Sequence, residues 1–386
     1  MSHRTLRPLS EPYIEGPQPP TSPAFLARLG VDTPYWRAFA EQILGSELAP
    51  PAIGIASWTA HSLPVQTRVL ISDYFIQCLQ STHANLVEAS LHLLEWESAW
   101  RAFERQIDRQ SKLRGKLSFP RSESPADDLP AALIDLHAAG FLRAIGSTLD
   151  CAAVAAAVVS AMPTDLITLS FRRLLGFAKE RAASRHKPPL EALLNVKLQT
   201  LVSDCGPSGW ADWVSDLRNV YVHRGRRIDM NEVATDHFLL DRHGNHIPSY
   251  RLCPRLPAAP ERSDVEALRD FHAEAPVLPE GAAETMNGIL RSTVQFTDGC
   301  GKILHDLWEL RKRDFALVEQ PPTQWNVRRP LPTHSFRGYT ENPKPVDPGA
   351  FTVNPVVTRR MQAAGLFDGA REVIWPEDSW GPYAQD

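Results

Sequence analysis

The sequence predicts an all-α protein: a helical bundle carrying one small β-hairpin insertion, with irregular Pro-rich arms at both ends. Three observations carry this reading. Residues 65–114 contain neither Gly nor Pro, and Leu79, Leu86, Leu93 and Trp100 recur every seven residues, so one long helix or two stacked ones is expected. A second apolar stretch runs from Pro130 to Met162, with Pro163 closing it, and is nearly all small or β-branched between Leu149 and Val159. Prolines gather instead at the chain ends, beginning with Pro8, Pro12, Pro17, Pro19, Pro20 and Pro23, where no period is sustained.

Taken in order, residues 1–64 read as an extended N-terminal arm with one short helix around Tyr35–Leu44. The first long helix turns basic at its far end (Arg101, Arg105, Arg109, Lys112, Arg114), which suits the negative end of a helix dipole. Asp150 is the one charge in the apolar zone of the second long helix, and a capped or paired core carboxylate is the favoured reading for it. Helices over about 165–183 and 189–202 follow, separated by His186-Lys187-Pro188-Pro189. Gly206-Pro207-Ser208-Gly209 then breaks the chain before a helix with two distinct faces. Trp210, Trp213, Val214, Leu217 and Tyr221 form its apolar stripe, while Asp212, Asp216, Asn219 and His223 line the opposite side and Arg218 lies on the flank.

Beyond Gly225 the pattern changes. His237–Leu240 and Ile247–Leu252 flank a turn containing Gly244-Asn245, the signal of a β-hairpin inserted at about 236–252. Ser263 and Glu266 are spaced as a capping box that opens a short helix. A last long helix is expected over roughly Glu284–Arg313, with Gly288, Gly299 and Gly301 marking close backbone approach or a kink. The division is therefore an arm over 1–64, a helical domain over 65–315 and a tail over 316–386 that holds Trp325, Trp375 and Trp380.

Composition narrows the function classes. A net charge of −4 over 386 residues argues against a wholesale basic nucleic-acid binder, though not against a local basic site. Five scattered cysteines with no C-x-x-C pair fit reduced thiols in a cytoplasmic protein. The closest approach to a membrane span, Cys151–Met162, is too short for one and reads as a buried core helix, and no secretory signal is expected at the N-terminus.

Several catalytic signatures are absent. There is no G-x-x-x-x-G-K loop, since Gly299-Cys300-Gly301-Lys302 lacks the earlier glycine, and no H-E-x-x-H or G-x-S-x-G. His237, His243 and His246, with Cys253 near, could be drawn as a metal site, but they lack a standard ligand spacing and equally suit a solvated turn. No metal or cofactor is expected.

The remaining pattern is Arg218-Asn219-x-x-x-His223. Two other R-x4-H matches occur, Arg181 to His186 and Arg329 to His334, but one ends in a Lys-Pro-Pro break and the other contains Pro330. Only Arg218 is followed by a polar residue on an amphipathic helix, with long helices on both sides. This stretch resembles the R-x(4–6)-H motif of the HEPN superfamily, antiparallel helical-bundle proteins that include many metal-independent RNases. The resemblance covers roughly residues 65–315. It implies RNA cleavage by attack of the 2′-hydroxyl on the adjacent phosphate, in a toxin or defence effector; the alternative is a non-catalytic nucleic-acid- or protein-binding scaffold.

The residue types suit that chemistry. His223 is the candidate proton-transfer group, Arg218 a permanent planar cation for phosphate, and Asn219 a hydrogen-bonding aid to either. Asp216, on the same face, is expected to raise the imidazole pKa. Arg224, Arg226 and Arg227, with Tyr221, form the candidate substrate-binding set. Five helical residues rotate a side chain by about 140°, so Arg218 and His223 diverge within one chain. The resemblance resolves this through a homodimer in which two motifs face one cleft, and its toxin analogy adds a neutralising protein partner.

Overall fold

The computed structural model describes residues 22–47, 65–114, 125–162, 164–181, 189–224, 232–240, 246–262, 266, 277–314 and 317. Of residues 46, 47, 65–70, 125–127, 178–181, 189, 223, 224, 232–240 and 246–252 it describes the backbone alone. The described part is mostly helical, as an all-α chain should be.

Eight α-helices are described: α1 (Pro23–Arg28), α2 (Pro34–Gln42), α3 (Val65–Arg114), α4 (Pro125–Val159), α5 (Phe171–Arg181), α6 (Pro189–Asp204), α7 (Trp210–Arg224) and α8 (Ala282–Arg313). A π-helical turn, Ile43–Glu47, continues α2. Between α7 and α8, β1 (Glu232–Leu240) pairs antiparallel with β2 (His246–Cys253), with a register irregularity between Ala234 and His237.

The bundle is built on α3 and α4. Helix α3 runs unbroken for 50 residues. It buries Phe75, Leu79, Leu86, Leu93, Trp96, Trp100 and Phe103, a stripe that keeps the heptad spacing read from the sequence. Helix α4 begins at Pro125, so Pro130 lies inside it rather than at its start. As the sixth helical residue it has no N–H to donate to the Ala126 carbonyl, so the helix lacks that one bond near its start. From Ala152 to Val159 every residue is buried, because α3, α7 and α8 pack around α4 and leave no solvent side. By length and composition a span within α4, Asp128–Val159, is apolar enough to cross a membrane, but 72% of that apolar window is buried inside the protein.

Helix α4 stops at Val159, three residues before the expected end at Met162. Ala161 takes a left-handed conformation (φ 54°), with Met162 N–H donating to Ala157 O at 2.9 Å and Ala161 N–H to Val158 O at 3.2 Å. This is a Schellman stop with alanine where glycine is usual. Arg311 of α8, 1% exposed, donates Nη1 to the carbonyls of Val158 (3.2 Å) and Val159, so a buried guanidinium completes the cap. The helix expected over 165–183 is shorter, Phe171–Arg181, because Asp165–Ser170 form a turn in which Asp165 accepts from Ile167 N–H.

The stretch read as an extended arm contributes to the core over 23–47. Val31, Trp36, Phe39 and Ile43 are fully buried, and Trp36 Nε1 donates to Leu79 O of α3 at 3.2 Å. Asp298 of α8 accepts from the N–H groups of Tyr35 (2.7 Å) and Trp36 (3.4 Å), capping α2 in place of Thr33. Proline at position 34 is an ordinary first helical residue, so its presence marked a helix start rather than an arm. The expected capping-box helix after Ser263 and the tail beyond 317 lie outside the described residues.

Candidate functional site

Helix α7 starts where Gly209, at φ 81°, turns the chain into the helix. Its apolar face is set by packing: Trp210, Val214, Leu217, Val220 and Tyr221 are buried, and Trp213 is half-buried. The two indoles are anchored at their polar ends, Trp210 Nε1 to Val202 O at 2.8 Å and Trp213 Nε1 to Pro257 O at 3.1 Å. These anchors tie α7 to α6 and to the segment after β2, and so set where its polar face points.

Arg218 falls on the boundary between the faces, with its side chain 27% exposed. Its aliphatic stem and Nε lie over Gly146 of α4, where a Cβ would stand only 2.9 Å from Nε. Gly146 is thus the notch that lets the guanidinium cross the α4–α7 seam. Beyond it, Arg218 Nη1 donates to Asn219 Oδ1 at 3.3 Å, and Nη2 stands 3.8 Å from Asp150 Oδ2. The other oxygen of Asp150 accepts from the Phe171 N–H at 2.8 Å, at the start of α5. Asp150 therefore ties three helices to one carboxylate. Burial raises its pKa, while the Phe171 N–H and Arg218 act the other way.

These groups line a small pocket of about 100 Å³, together with Ser170, Arg172 and Ser215. Arg172 sits at the rim, paired to Asp216 and 3.7 Å from Glu261. Burial raises the Asp216 pKa, with Arg172 opposing and Glu261 reinforcing the shift. The pocket thus holds two permanent cations, one carboxylate, an amide and two hydroxyls around a volume the size of a few water molecules. An oxyanion fits this chemistry only by taking over a guanidinium face from a carboxylate.

Among the described side chains of the expected set, the structure brings together Arg218 and Asn219. Tyr221 is 5% exposed on the apolar face, so its ring is a core element and not a substrate-binding one; the stripe spacing wins over the motif. Asp216 is engaged with Arg172, which removes it as a free carboxylate beside an imidazole. The side chains of His223 and Arg224, and Arg226 and Arg227 entirely, lie outside the described residues. The same holds for the side chains of His237 and His246 and for the whole of His243. Among the described residues no group of three or more His, Cys, Asp or Glu is placed to hold a metal ion.

Sequence reasoning missed Gly146, Ser170 and Arg172. A glycine inside an otherwise strong helix was the one available signal, since it costs about 1 kcal/mol relative to alanine unless something uses the space. It also missed a second feature on the α3–α4 surface. His92 and His137 face each other with Nδ1 atoms 2.9 Å apart, in an apolar-walled groove of about 360 Å³. Burial, and then His92, holds the His137 pKa below the usual histidine range.

No family model matches this chain, and neither a curated protein nor a solved structure matches it.

Proposed function

We propose that this protein is a metal-independent endoribonuclease of HEPN type, with Arg218, Asn219 and His223 as its catalytic group. The observation that supports this most is the placement of Arg218. Its guanidinium is half-buried, held at 3.3 Å by Asn219 and set beside a polar pocket on the helix that carries His223 in its last turn. A fixed, partly desolvated guanidinium stabilises charge growing on phosphate oxygens better than a mobile one, because no reorganisation is needed during the reaction. His223 takes the proton from the attacking 2′-hydroxyl or gives one to the leaving 5′-oxygen, and the product carries a 2′,3′-cyclic phosphate. No electron changes hands, and the residues alone supply the proton path.

In this reading the protein is a homodimer. Arg218 leans over α4, and His223 is rotated by about 140° along α7, so one copy does not converge the two on one phosphorus. A two-fold pairing of α7 polar faces supplies the second motif. Arg224, Arg226 and Arg227 follow His223 directly and add local positive charge for an RNA backbone despite the net charge of −4. The family-level expectations of a bundle with a hairpin insertion, a cytoplasmic setting, a toxin or defence role and a neutralising protein partner belong to the same proposal.

One observation favours a second reading. Arg218 is already paired with Asp150 inside its own chain, which suits a non-catalytic scaffold in which that pair only fastens α7 to α4. The two readings separate in one experiment. Wild type, Arg218→Ala and His223→Ala are incubated with single-stranded RNA in excess EDTA, and the ends are analysed for cyclic phosphate. The ribonuclease reading expects cleavage by wild type and a loss of about a hundredfold or more in both variants. Equal residual cleavage in all three, or a requirement for a divalent metal, refutes it.

A further inference from the structure

Histidines from α3 and α4 meet on the outer surface of the central helix pair. His92 Nδ1 lies 2.9 Å from His137 Nδ1 with the ring planes tilted by 52°, so the contact is nitrogen to nitrogen and not a stack. One of the two nitrogens carries a proton and the other accepts it. On its far side His92 has Glu88, whose Oε1 is 3.5 Å from Nε2, and Glu88 is itself paired to Arg143. The carboxylate favours the His92 proton on Nε2, which leaves Nδ1 as the lone pair and makes His137 the donor. The His92 ring lies against Gly140 of α4, where a Cβ would stand 2.4 Å from Nε2 and 2.5 Å from Cε1. Gly140 is thus the space that His92 occupies.

We propose that His92 and His137 are a two-histidine site for a divalent transition-metal ion of the imidazole-preferring class, Cu²⁺ and Ni²⁺ above Zn²⁺. With metal–nitrogen bonds of about 2.0–2.1 Å, adjacent ligand atoms are about 2.8–3.0 Å apart at the right angles of square-planar or octahedral geometry. The two Nδ1 atoms already have that spacing. A tetrahedral ion asks for about 3.3–3.4 Å. On binding, the Nδ1 proton of His137 moves to its own Nε2 through water, and the ring turns so that both lone pairs converge on the ion. His92 keeps its Nε2 proton facing Glu88, the kind of outer-shell carboxylate that orients metal-bound histidines. Burial, and then His92, keeps His137 neutral near pH 7, so a proton does not compete for the same nitrogen.

An ion can reach this place from solvent. The pair lies in the groove of about 360 Å³ walled by Ala84, Val87 and Leu91, and the His92 side chain is 23% exposed. Glu88 and Glu95 line the same groove and favour a cation there. Among the described residues no third side chain is placed to close on the ion, so water fills its other positions and the ion exchanges readily. His137 is about 13 Å along α4 from Gly146, which keeps this site apart from the Arg218 pocket.

The test uses the full-length protein without an affinity tag, freed of metal and titrated with Ni²⁺ by calorimetry. Wild type is expected to bind one more Ni²⁺ per chain than His92→Gln or His137→Gln, while Mg²⁺, which prefers oxygen ligands, shows no such difference. Glu88→Gln and Gly140→Ala keep both ligands and should weaken the site by about tenfold or more. The first removes the outer-shell carboxylate, and the second displaces the His92 ring. A further readout needs no variant: in wild type, Ni²⁺ should shield His92 and His137 from diethyl pyrocarbonate, as mapped by peptide mass. Equal Ni²⁺ stoichiometry in wild type and both histidine variants overturns the assignment. So does unchanged modification of His92 and His137 in saturating Ni²⁺, or undiminished Ni²⁺ affinity in Gly140→Ala.

Discussion

Gly146→Ala separates the fold of this protein from its candidate site. A Cβ at position 146 would lie 2.9 Å from Arg218 Nε, 3.1 Å from Cγ and 3.3 Å from Cδ. All three atoms belong to a side chain that can move, so the backbones of α4 and α7 need not part. To regain a contact of about 3.5 Å the guanidinium end must retreat by roughly 0.6 Å. That retreat takes Nη1 and Nη2 away from their positions against Asn219 and Asp150. Misplacing a catalytic group by about 1 Å costs up to about a hundredfold, so a shift of this size is worth roughly tenfold in RNA cleavage, or about 1.4 kcal/mol. The same substitution adds helix propensity of about 1 kcal/mol in the middle of α4, which offsets the strain of moving the arginine. On the proposed ribonuclease reading, the expected outcome is therefore a protein at least as stable as wild type that cleaves RNA about ten times more slowly. Single-turnover cleavage and calorimetric melting of the same preparations read both numbers. Undiminished cleavage in a folded Gly146→Ala protein refutes the argument that the position of Arg218 over α4 matters to the reaction. A large fall in stability refutes the argument that the arginine, and not the backbone, gives way.

Four other outcomes follow from the packing. Gly301→Ala puts a Cβ 2.4 Å from Trp36 Cα and 2.5 Å from Trp36 N, backbone atoms that cannot yield singly, so α2 must lift from α8 at a net cost of about 2 kcal/mol. Gly288→Ala in the same helix meets nothing within 4 Å and should stabilise by up to about 1 kcal/mol; equal effects in urea titrations of the two would refute the docking of residues 34–42 on α8. His83 accepts or donates at 2.7 Å to Thr33 Oγ1, and burial lowers its pKa to about 4. The unfolded chain then binds the extra proton between about pH 6.5 and 4, so stability falls as pH drops through that window, by about 3 kcal/mol at most, and His83→Gln should flatten this part of the acid limb. Arg311→Met keeps the stem but removes the donors to Val158 and Val159, leaving buried carbonyls at the end of α4. A loss of about 1–3 kcal/mol is expected by urea titration, and no change would mean that the Schellman turn alone satisfies that helix end.

Much of the architecture was legible because helical periodicity is a local property. The repeat of Leu79, Leu86, Leu93 and Trp100 and the stripe from Trp210 to Tyr221 each encode one face of one helix, and those faces are where the core lies. Helix ends were less legible. The stop at Val159 depends on Ala161 adopting a left-handed conformation, which nothing about alanine announces, and on Arg311 arriving from 150 residues away. The burial of Trp36 and Phe39 was hidden by the prolines around them, because proline marks helix starts as readily as arms.

By itself the sequence determined the helical class, the two long helices, and an amphipathic helix bearing Arg218, Asn219 and His223. Only the tertiary structure decided what Arg218 faces. Gly146 and Asp150 lie on α4, Ser170 and Arg172 at the mouth of α5, and their meeting with Arg218 depends on how three helices rotate against one another. The facing of α7 is set by the anchored indoles of Trp210 and Trp213 and by the close approach that Gly146 permits. It is also why Tyr221 left the site for the core. A residue's chemistry is written in its own side chain, but its partners come from packing between segments far apart in the chain, which no local pattern contains.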